Sequence, residues 1–289
     1  MNAMKFAIPL FVALAYGPAQ AQFLGSDLAT FAVLGATSVT NDYPTNTSTI
    51  FGNVGVATGT SITGFTTPVT GVPTPDATGQ VTGGVLHANT GVAASAQVQL
   101  DAAILSLNSL ASTGALGGNI NGTYAPGVYD GGAGLLTGAL TLDGTGSSAD
   151  VWVFRFQSTL TTAATGSSVT VVNLDNGSSA GIYWVVGSGA TLNGPTFAGN
   201  VLAQTTISSD GNLTLSCGRL LSATSNVTLI GDTISAGCAG TTGSGSGGFD
   251  QGNPAAPIPE PEIYAMMAVG LGLLGWVGRR KKLKEAAAA

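Results

Sequence analysis

Few side chains in this 289-residue sequence could carry covalent chemistry. His87 is the one imidazole, Cys217 and Cys238 are the two thiols, and between Gln22 and Pro257 the charged residues are eleven Asp, Arg155 and Arg219, with no Glu or Lys. A lone histidine lacks the second group that a base and nucleophile pair requires, and its place just before a helical stretch reads as a surface or capping residue. No HExxH, GxSxG or CxxC spacing occurs, and a segment without Lys cannot form a Schiff base. The best carboxylate groupings, Asp143-Gly144, Asp175-Asn176-Gly177 and Asp210-Gly211-Asn212, have the composition of turns, and the GGxGxD repeat of calcium-loaded β-rolls is missing. No catalytic residue, metal ligand or cofactor is expected, and the chain reads as non-enzymatic. Two isolated Arg cannot neutralise a phosphate backbone, so nucleic acid is not a partner.

What remains is a chemistry of hydroxyl groups. Gln22 to Pro257 holds 36 Thr. Each sets a methyl beside a hydroxyl, and regular rows of them could hold ordered water. Charged groups would disturb such a layer, because they keep their own hydration and are costly to strip. Thr is also an ordinary solvent-facing strand residue, so composition alone does not decide. An apolar fraction of 44% argues against disorder, although charged residues make up only 8%.

The elements that could array these hydroxyls begin to show at Val151. The runs VWVFRF, VTVVNL, IYWVV, NVLAQTTI, LTLSC and NVTLI alternate with Gly, Ser, Asn and Asp turns, without helical periodicity. The segment beginning at Ala180 is echoed from Ala198 and again from Cys217, at offsets of 18 and 19 residues. A second short strand follows each echo, around Thr191, Ile207 and Val227. A period near twenty with two or three strands predicts a β-solenoid whose coils stack about 4.8 Å apart. Trp152, Phe154, Phe156 and Trp184 are expected to fill its core. One segment departs from this pattern. Val92, Ala96, Leu100, Ala103, Ile104, Leu107 and Leu110 recur at helical spacing without Gly or Pro. They predict one amphipathic helix over about 91–113, capped by Asn89 or Thr90 and ended by Gly114, lying along one solenoid face. A disulfide between Cys217 and Cys238 would close the last coil in an oxidising compartment; the alternative is two reduced thiols buried at that end.

The two ends read as addresses. Residues 1–21 have the basic start, ten-residue apolar run and small-residue site of a signal peptide cut by signal peptidase before Gln22. The solenoid domain spans 22–239, and a Gly/Ser-rich linker spans 240–257. Pro259-Glu260-Pro261, the apolar stretch 263–278 and the basic run from Arg279 then follow, with a low-complexity tail over 283–289. The segment 258–282 resembles the PEP-CTERM sorting signal of Gram-negative bacteria. That resemblance implies recognition of Pro259, Glu260 and Pro261 by an exosortase, and transient retention in the inner membrane through a short transmembrane helix at 263–278. It further implies cleavage near the motif and delivery to the cell surface or extracellular matrix.

The domain itself resembles the microbial ice-binding protein family. The resemblance rests on FAVLGATSVTN from Phe31, GNVGVATGTSITGF from Gly52, GTYAPGVYD from Gly122, ADVWVFRF from Ala149 and the coils around IYWVV. It implies a mainly β fold, a right-handed discontinuous β-solenoid with one long helix packed alongside, and a cap built from Thr66 to Thr90. It also implies a flat face on the last coils that contacts ice. Strand position puts Thr191, Asn193, Thr206, Ser208, Asn226 and Thr228 on that face. The competing reading is a structural or adhesive matrix protein on the same scaffold, binding extracellular polysaccharide or neighbouring cells.

Overall fold

The structure is a computed structural model that describes residues 23–146, 150–173, 181–216 and 218–235. The signal segment 1–21, Cys217 and Cys238, the Asp175 turn, the linker, the sorting signal with its apolar stretch, and the tail lie outside the described residues. No helix among the described residues is long and apolar enough to cross a membrane.

Short strands alternate with polar, Gly-rich corners, and the named strands among the described residues pair in parallel in three sheets of nine, seven and eight strands. Each turn of chain gives one strand to each sheet. Gly127–Gly131, Gly134–Leu136 and Ala139–Asp143 make one coil, and Val151–Phe156, Leu160–Thr162 and Ser168–Val172 the next. Gly181–Val186, Ala190–Leu192 and Thr196–Ala198 follow, then Asn200–Ala203, Ile207–Ser209 and Thr214–Ser216, then Leu220–Ser222, Asn226–Leu229 and Thr233–Ser235. The three echoed segments therefore pile directly on one another, as the period requires.

The glycine-matched alignment of the first echo is off by one residue. It sets Tyr183 opposite Val201, whereas Tyr183 pairs with Asn200 and Trp184 with Val201. Gly199 explains the shift: it takes φ 101° at the corner before Asn200–Ala203, so the chain enters the new strand one position away from the match. The second echo keeps the sequence-based register, with Val201 opposite Leu220.

Chain order and stacking order differ at one place. The first coil, Phe31–Gly35, Ser38–Asn41 and Thr49–Phe51, packs against the last coil through pairs such as Val33 with Leu220, Thr40 with Thr228 and Ile50 with Ile234. On its other side lie Asn53–Val56, Ser61–Thr63 and Val81–Thr82, and then Leu86–Ala88. The chain returns to the opposite end of the stack through helix α1, Gly91–Asn108, and resumes at Gly114–Ala115 beside Gly127–Gly131. The junction of first and last coils is a seam between distant parts of the sequence.

Alternation along the strands sends one set of side chains into a closed apolar interior. Trp152, Phe154 and Trp184 are fully buried there and Phe156 nearly so. Tyr129, Phe154, Trp184 and Phe197 form a ladder with centroid separations of 5.5, 4.4 and 4.9 Å. Indole N–H groups in this interior need partners, and Trp184 Nε1 donates to the Ala198 carbonyl at 2.9 Å.

A second apolar layer lies between the nine-stranded sheet and α1. Ala93, Ala96, Leu100, Ala103, Ile104 and Leu107 face Phe31, Leu34, Val153, Tyr183, Val185, Leu202 and Leu221. Small Ala side chains let the helix approach the sheet, and each buried Leu contributes about 1.5–3 kcal/mol. Thr90 caps the start, its hydroxyl accepting from Ala93 N at 3.2 Å. Val92 faces outward, and Ala93 takes the inward position instead.

The helix stops at Asn108, short of the expected 113, and Gly114 begins a strand rather than ending the helix. Arg155 Nη1 collects the carbonyls of Leu107, Asn108 and Leu110 at 3.2, 2.9 and 2.9 Å. A cation at this end satisfies orphan carbonyls and complements the helix dipole. Thr113 is already committed to the sheet edge, its N–H donating to Val128 O at 2.7 Å.

Residues 66–80 form a loop over the end of the stack, within the expected cap of 66–90. Asp76 organises it by accepting from the amides of Thr66, Gln80 and Val81 and from the Thr78 hydroxyl. These bonds hold its carboxyl below the usual range although burial pulls the other way. Thr74 pairs with the free edge of Leu86–Ala88, exchanging backbone hydrogen bonds with Leu86 at 2.8 and 2.9 Å.

Candidate functional site

Of the three solenoid faces, the nine-stranded one is covered by α1. No helix among the described residues covers the other two, and side-chain alternation decides what each offers to solvent. In the seven-stranded sheet the middle residue points outward in Gly134–Leu136, Leu160–Thr162, Ala190–Leu192 and Ile207–Ser209, whereas the first and third residues do so in Asn226–Leu229, Ser38–Asn41 and Ser61–Thr63. Register then aligns Leu135 with Thr161, Thr161 with Thr191, Thr191 with Ser208, Ser208 with Thr228, Thr228 with Thr40, and Thr40 with Thr63. Six consecutive rungs thus carry Thr or Ser in one row, about 4.8 Å apart. Asn226, Ser38 and Ser61 start a second row beside it, and Thr63 Oγ1 donates to Thr40 Oγ1 at 3.3 Å. None of the strands in this sheet contains a charged residue. Asp42 and Asp210 lie just past strand ends, and Asp42 is engaged with Asn46 Nδ2 at 2.6 Å.

Four of the six residues singled out from sequence lie within the strands of this face: Thr191, Ser208, Asn226 and Thr228. Thr206 is exposed immediately before Ile207–Ser209. Asn193 sits at the corner after Ala190–Leu192, where its N–H donates to Thr162 Oγ1 at 2.8 Å and its Oδ1 is buried without a partner. Missing from the sequence-based set are Thr40, Thr63, Ser38 and Ser61, which join the face across the seam, and Thr161. The signal for Thr161 was present in LTT, matching ATL and ISS as inward, outward, inward.

The eight-stranded sheet carries a row of its own: Ser168, Thr196, Thr214, Thr233 and Thr49 in register. It is less regular. Pairing narrows to the single pair Ser168 with Thr196 at one step, and Phe51, 46% exposed, projects beside the end of the row.

Both cations of the described domain are engaged by partners. Arg155 forms a two-pronged pair with Asp130, Nε to Oδ1 at 2.6 Å and Nη2 to Oδ2 at 2.8 Å. Arg219 is 1% exposed and donates to Ala29 O and to Asn200 Oδ1, the shortest contacts at 2.7 and 2.9 Å. Burial draws its pKa down to about 10, which leaves it charged at neutral pH. His87 is also buried, in Leu86–Ala88, with Nδ1 3.0 Å from Thr90 Oγ1 and its ring 5.1 Å from Phe31. The expectation of a surface position is corrected: His87 lies beneath the helix start, where burial lowers its pKa. Asp210, Gly211 and Asn212 form a turn, with φ 108° and 61° at the last two. No group of three or more potential metal ligands occurs among the described residues.

The family described as Ice-binding-like matches residues 33–235, and the PEP-CTERM protein-sorting motif matches residues 257–282. An ice-binding protein of Nostoc sp. (strain HG1) is 36% identical over 248 residues, covering 84% of this chain and 81% of the relative. The ice-binding protein K3-B1 of Typhula ishikariensis is 32% identical over 176 residues, covering 55% of this chain and 69% of that protein. Among solved structures, the ice-binding protein of the Antarctic ascomycete Antarctomyces psychrotrophicus superposes with a TM-score of 0.63 at 32% identity. That match covers 74% of this chain and 98% of the other.

Proposed function

The chain belongs to the ice-binding-like family, and from that membership we propose that it is a non-enzymatic exported protein that adsorbs to ice through its seven-stranded face. The observation carrying this reading is the uncharged row Thr161, Thr191, Ser208, Thr228, Thr40 and Thr63 on six successive rungs. The sheet holds each hydroxyl and methyl at a fixed interval, so a water layer can order over the face without displacing the hydration of a charge. Thr206 and Asn226 extend the surface, and Asn193 borders it. Adsorption restrains recrystallisation or attaches the cell surface to ice.

The sorting motif directs the chain to export in a Gram-negative bacterium, with exosortase reading Pro259, Glu260 and Pro261. Signal peptidase cutting before Gln22 and transient anchoring through 263–278 complete the route. Extracellular polysaccharide at the cell surface is a further contact. A disulfide between Cys217 and Cys238 fits the oxidising destination, and the bond from Gly218 N to Ser235 O at 2.9 Å supports it by joining their neighbouring segments.

Ice recrystallisation assayed with the purified full chain tests the face. Thr228→Tyr should abolish inhibition while leaving circular dichroism native-like, and Thr214→Tyr on the eight-stranded sheet should leave inhibition near wild type. The reverse pattern would assign ice binding to the other sheet.

A further inference from the structure

The hydroxyl row is assembled from two distant stretches of chain. Thr161, Thr191, Ser208 and Thr228 belong to coils that follow one another in sequence, so the connecting corners restrict slippage between them. Thr228 and Thr40 meet at the seam, where no short connection fixes the register. A one-residue slip there would exchange inward and outward side chains, and a two-residue slip would displace Thr40 and Thr63 along the strand.

A chain of buried polar groups crosses the seam at the corner between the seven- and eight-stranded sheets. Ser209, Asp232, Ser48, Asn41 and Gln80 are each less than 5% exposed, and they come from four successive coils. Ser209 Oγ donates to Asp232 Oδ2. Asp232 also accepts from Leu213 N at 3.2 Å and Ile230 N at 3.1 Å. The seam itself is crossed where Asp232 N donates to Ser48 Oγ at 3.0 Å, between residues 184 positions apart. Ser48 Oγ then donates to Asn41 Oδ1 at 2.7 Å, Asn41 Nδ2 to Gln80 Oε1 at 2.5 Å, and Gln80 Nε2 to Gly64 O at 2.7 Å. Asn41 directly follows Thr40, and Gly64 directly follows Thr63. Apolar packing tolerates small displacements, whereas these bonds are directional and any slip leaves buried donors and acceptors unpaired.

We propose that Ser48, Asn41 and Asp232 are positioning residues that hold Thr40 and Thr63 in line with Thr228, so that two distant parts of the chain present one continuous adsorbing row. This rests on the seven-stranded face being the one that meets ice. Ser48 is the centre of the arrangement, since its hydroxyl both accepts across the seam and donates to the residue behind the row.

The test compares Ser48→Ala, the conservative Ser48→Thr, and Val169→Ala, which opens a core cavity in a coil away from the seam. Thr228→Tyr is measured in parallel. Each full-length variant is checked for native circular dichroism near 0 °C, for melting temperature, and for the protein concentration that halts ice recrystallisation. Ser48→Ala is expected to remain folded near 0 °C yet need a several-fold higher concentration. Ser48→Thr should return the threshold toward wild type, and Val169→Ala should leave it unchanged despite an equal or larger fall in melting temperature. A wild-type threshold for Ser48→Ala, while Thr228→Tyr is inactive, overturns the positioning role and leaves the face assignment intact. Losses that simply track melting temperature in Ser48→Ala and Val169→Ala overturn it too. A fully active Thr228→Tyr overturns the face reading and the positioning role with it. If Ser48→Ala does not fold, Gln80→Ala, which removes the acceptor of Asn41 Nδ2, is judged by the same outcomes.

Discussion

Replacing Arg219 by Met removes the cation that ties the last coil to the entry of the first. The guanidinium donates to Ala29 O from Nε at 3.2 Å and Nη2 at 2.7 Å, and to Asn200 Oδ1 from Nη1 at 2.9 Å. Both acceptors would be left in a site that is 1% exposed at Arg219 and 0% at Asn200. Leaving a buried acceptor unpaired costs about 1–3 kcal/mol, in full at Asn200 and in part at half-buried Ala29, which gives roughly 2–5 kcal/mol before any compensation. Met fills similar volume and avoids the desolvation of a charge, which offsets part of this. A net loss of roughly 2–4 kcal/mol follows, or about 5–15 °C in melting temperature at roughly 2–4 °C per kcal/mol for a domain of this size. The loss should also be localised. Hydrogen exchange is expected to quicken first in Phe31–Gly35, which rests on Leu220–Ser222, while amides in Gly181–Val186 stay protected. Unchanged stability, or loss of protection spread evenly through the stack, would refute the view that Arg219 fastens the seam.

Other perturbations separate the remaining parts of the scaffold. Trp184→Ala empties the centre of the aromatic ladder and should cost about 3–5 kcal/mol in a denaturant titration. Arg155→Gln should fray the last turn of α1 and lower stability by about 1–3 kcal/mol, with the ice threshold near 0 °C unchanged because α1 covers a different face. Reducing the proposed Cys217–Cys238 bridge should cost about 3 kcal/mol, read as a fall in melting temperature with added reductant that Cys217→Ser no longer shows. Two buried groups give opposite pH dependences. Burial raises Asp232 from 3.8 to about 6, so its contribution is full below pH 3.8 and fades as pH rises to about 6. Burial lowers His87 from 6.5, so its contribution is present above pH 6.5 and fades as pH falls. Asp232→Asn should remove the decline between pH 4 and 6 in melting curves.

Local repetition made the later coils readable. LTT, ATL and ISS repeat an inward, outward, inward pattern, and the strands around Thr191, Ser208 and Thr228 stack as their spacing implies. The helix was legible because Leu100, Ala103, Ile104 and Leu107 recur at its period. Its end was not, since the group that stops it, Arg155, lies 47 residues from Asn108. The register at Gly199 was misread because matching glycine to glycine ignores a backbone turn made possible by φ 101°. The largest gap was the seam. The resemblance implied a discontinuous stack, and ATSVT from Ala36 nearly repeats as ATSNVT from Ala223, which sets Thr40 opposite Thr228; the match lies far outside the twenty-residue period, so the period alone does not add Thr40 and Thr63 to the face. The inward turn of Arg219 was equally hidden, because its acceptor Ala29 is 190 positions away.

A pile of parallel strands has no intrinsic reason to stop, and freezing concentrates solutes into the remaining brine, where fibre growth by adding rungs would be fastest. This molecule narrows the route at both termini of the pile. At one terminus the Asp76-centred loop already occupies the outer edge of Leu86–Ala88 through Thr74. At the other the bordering strands, Gly114–Ala115 and Gly122–Tyr124, are only two and three residues long, so they offer another copy few ladder bonds. The same geometry that arrays hydroxyls along the flank therefore comes with blunted edges among the described residues, which disfavours growth by added rungs.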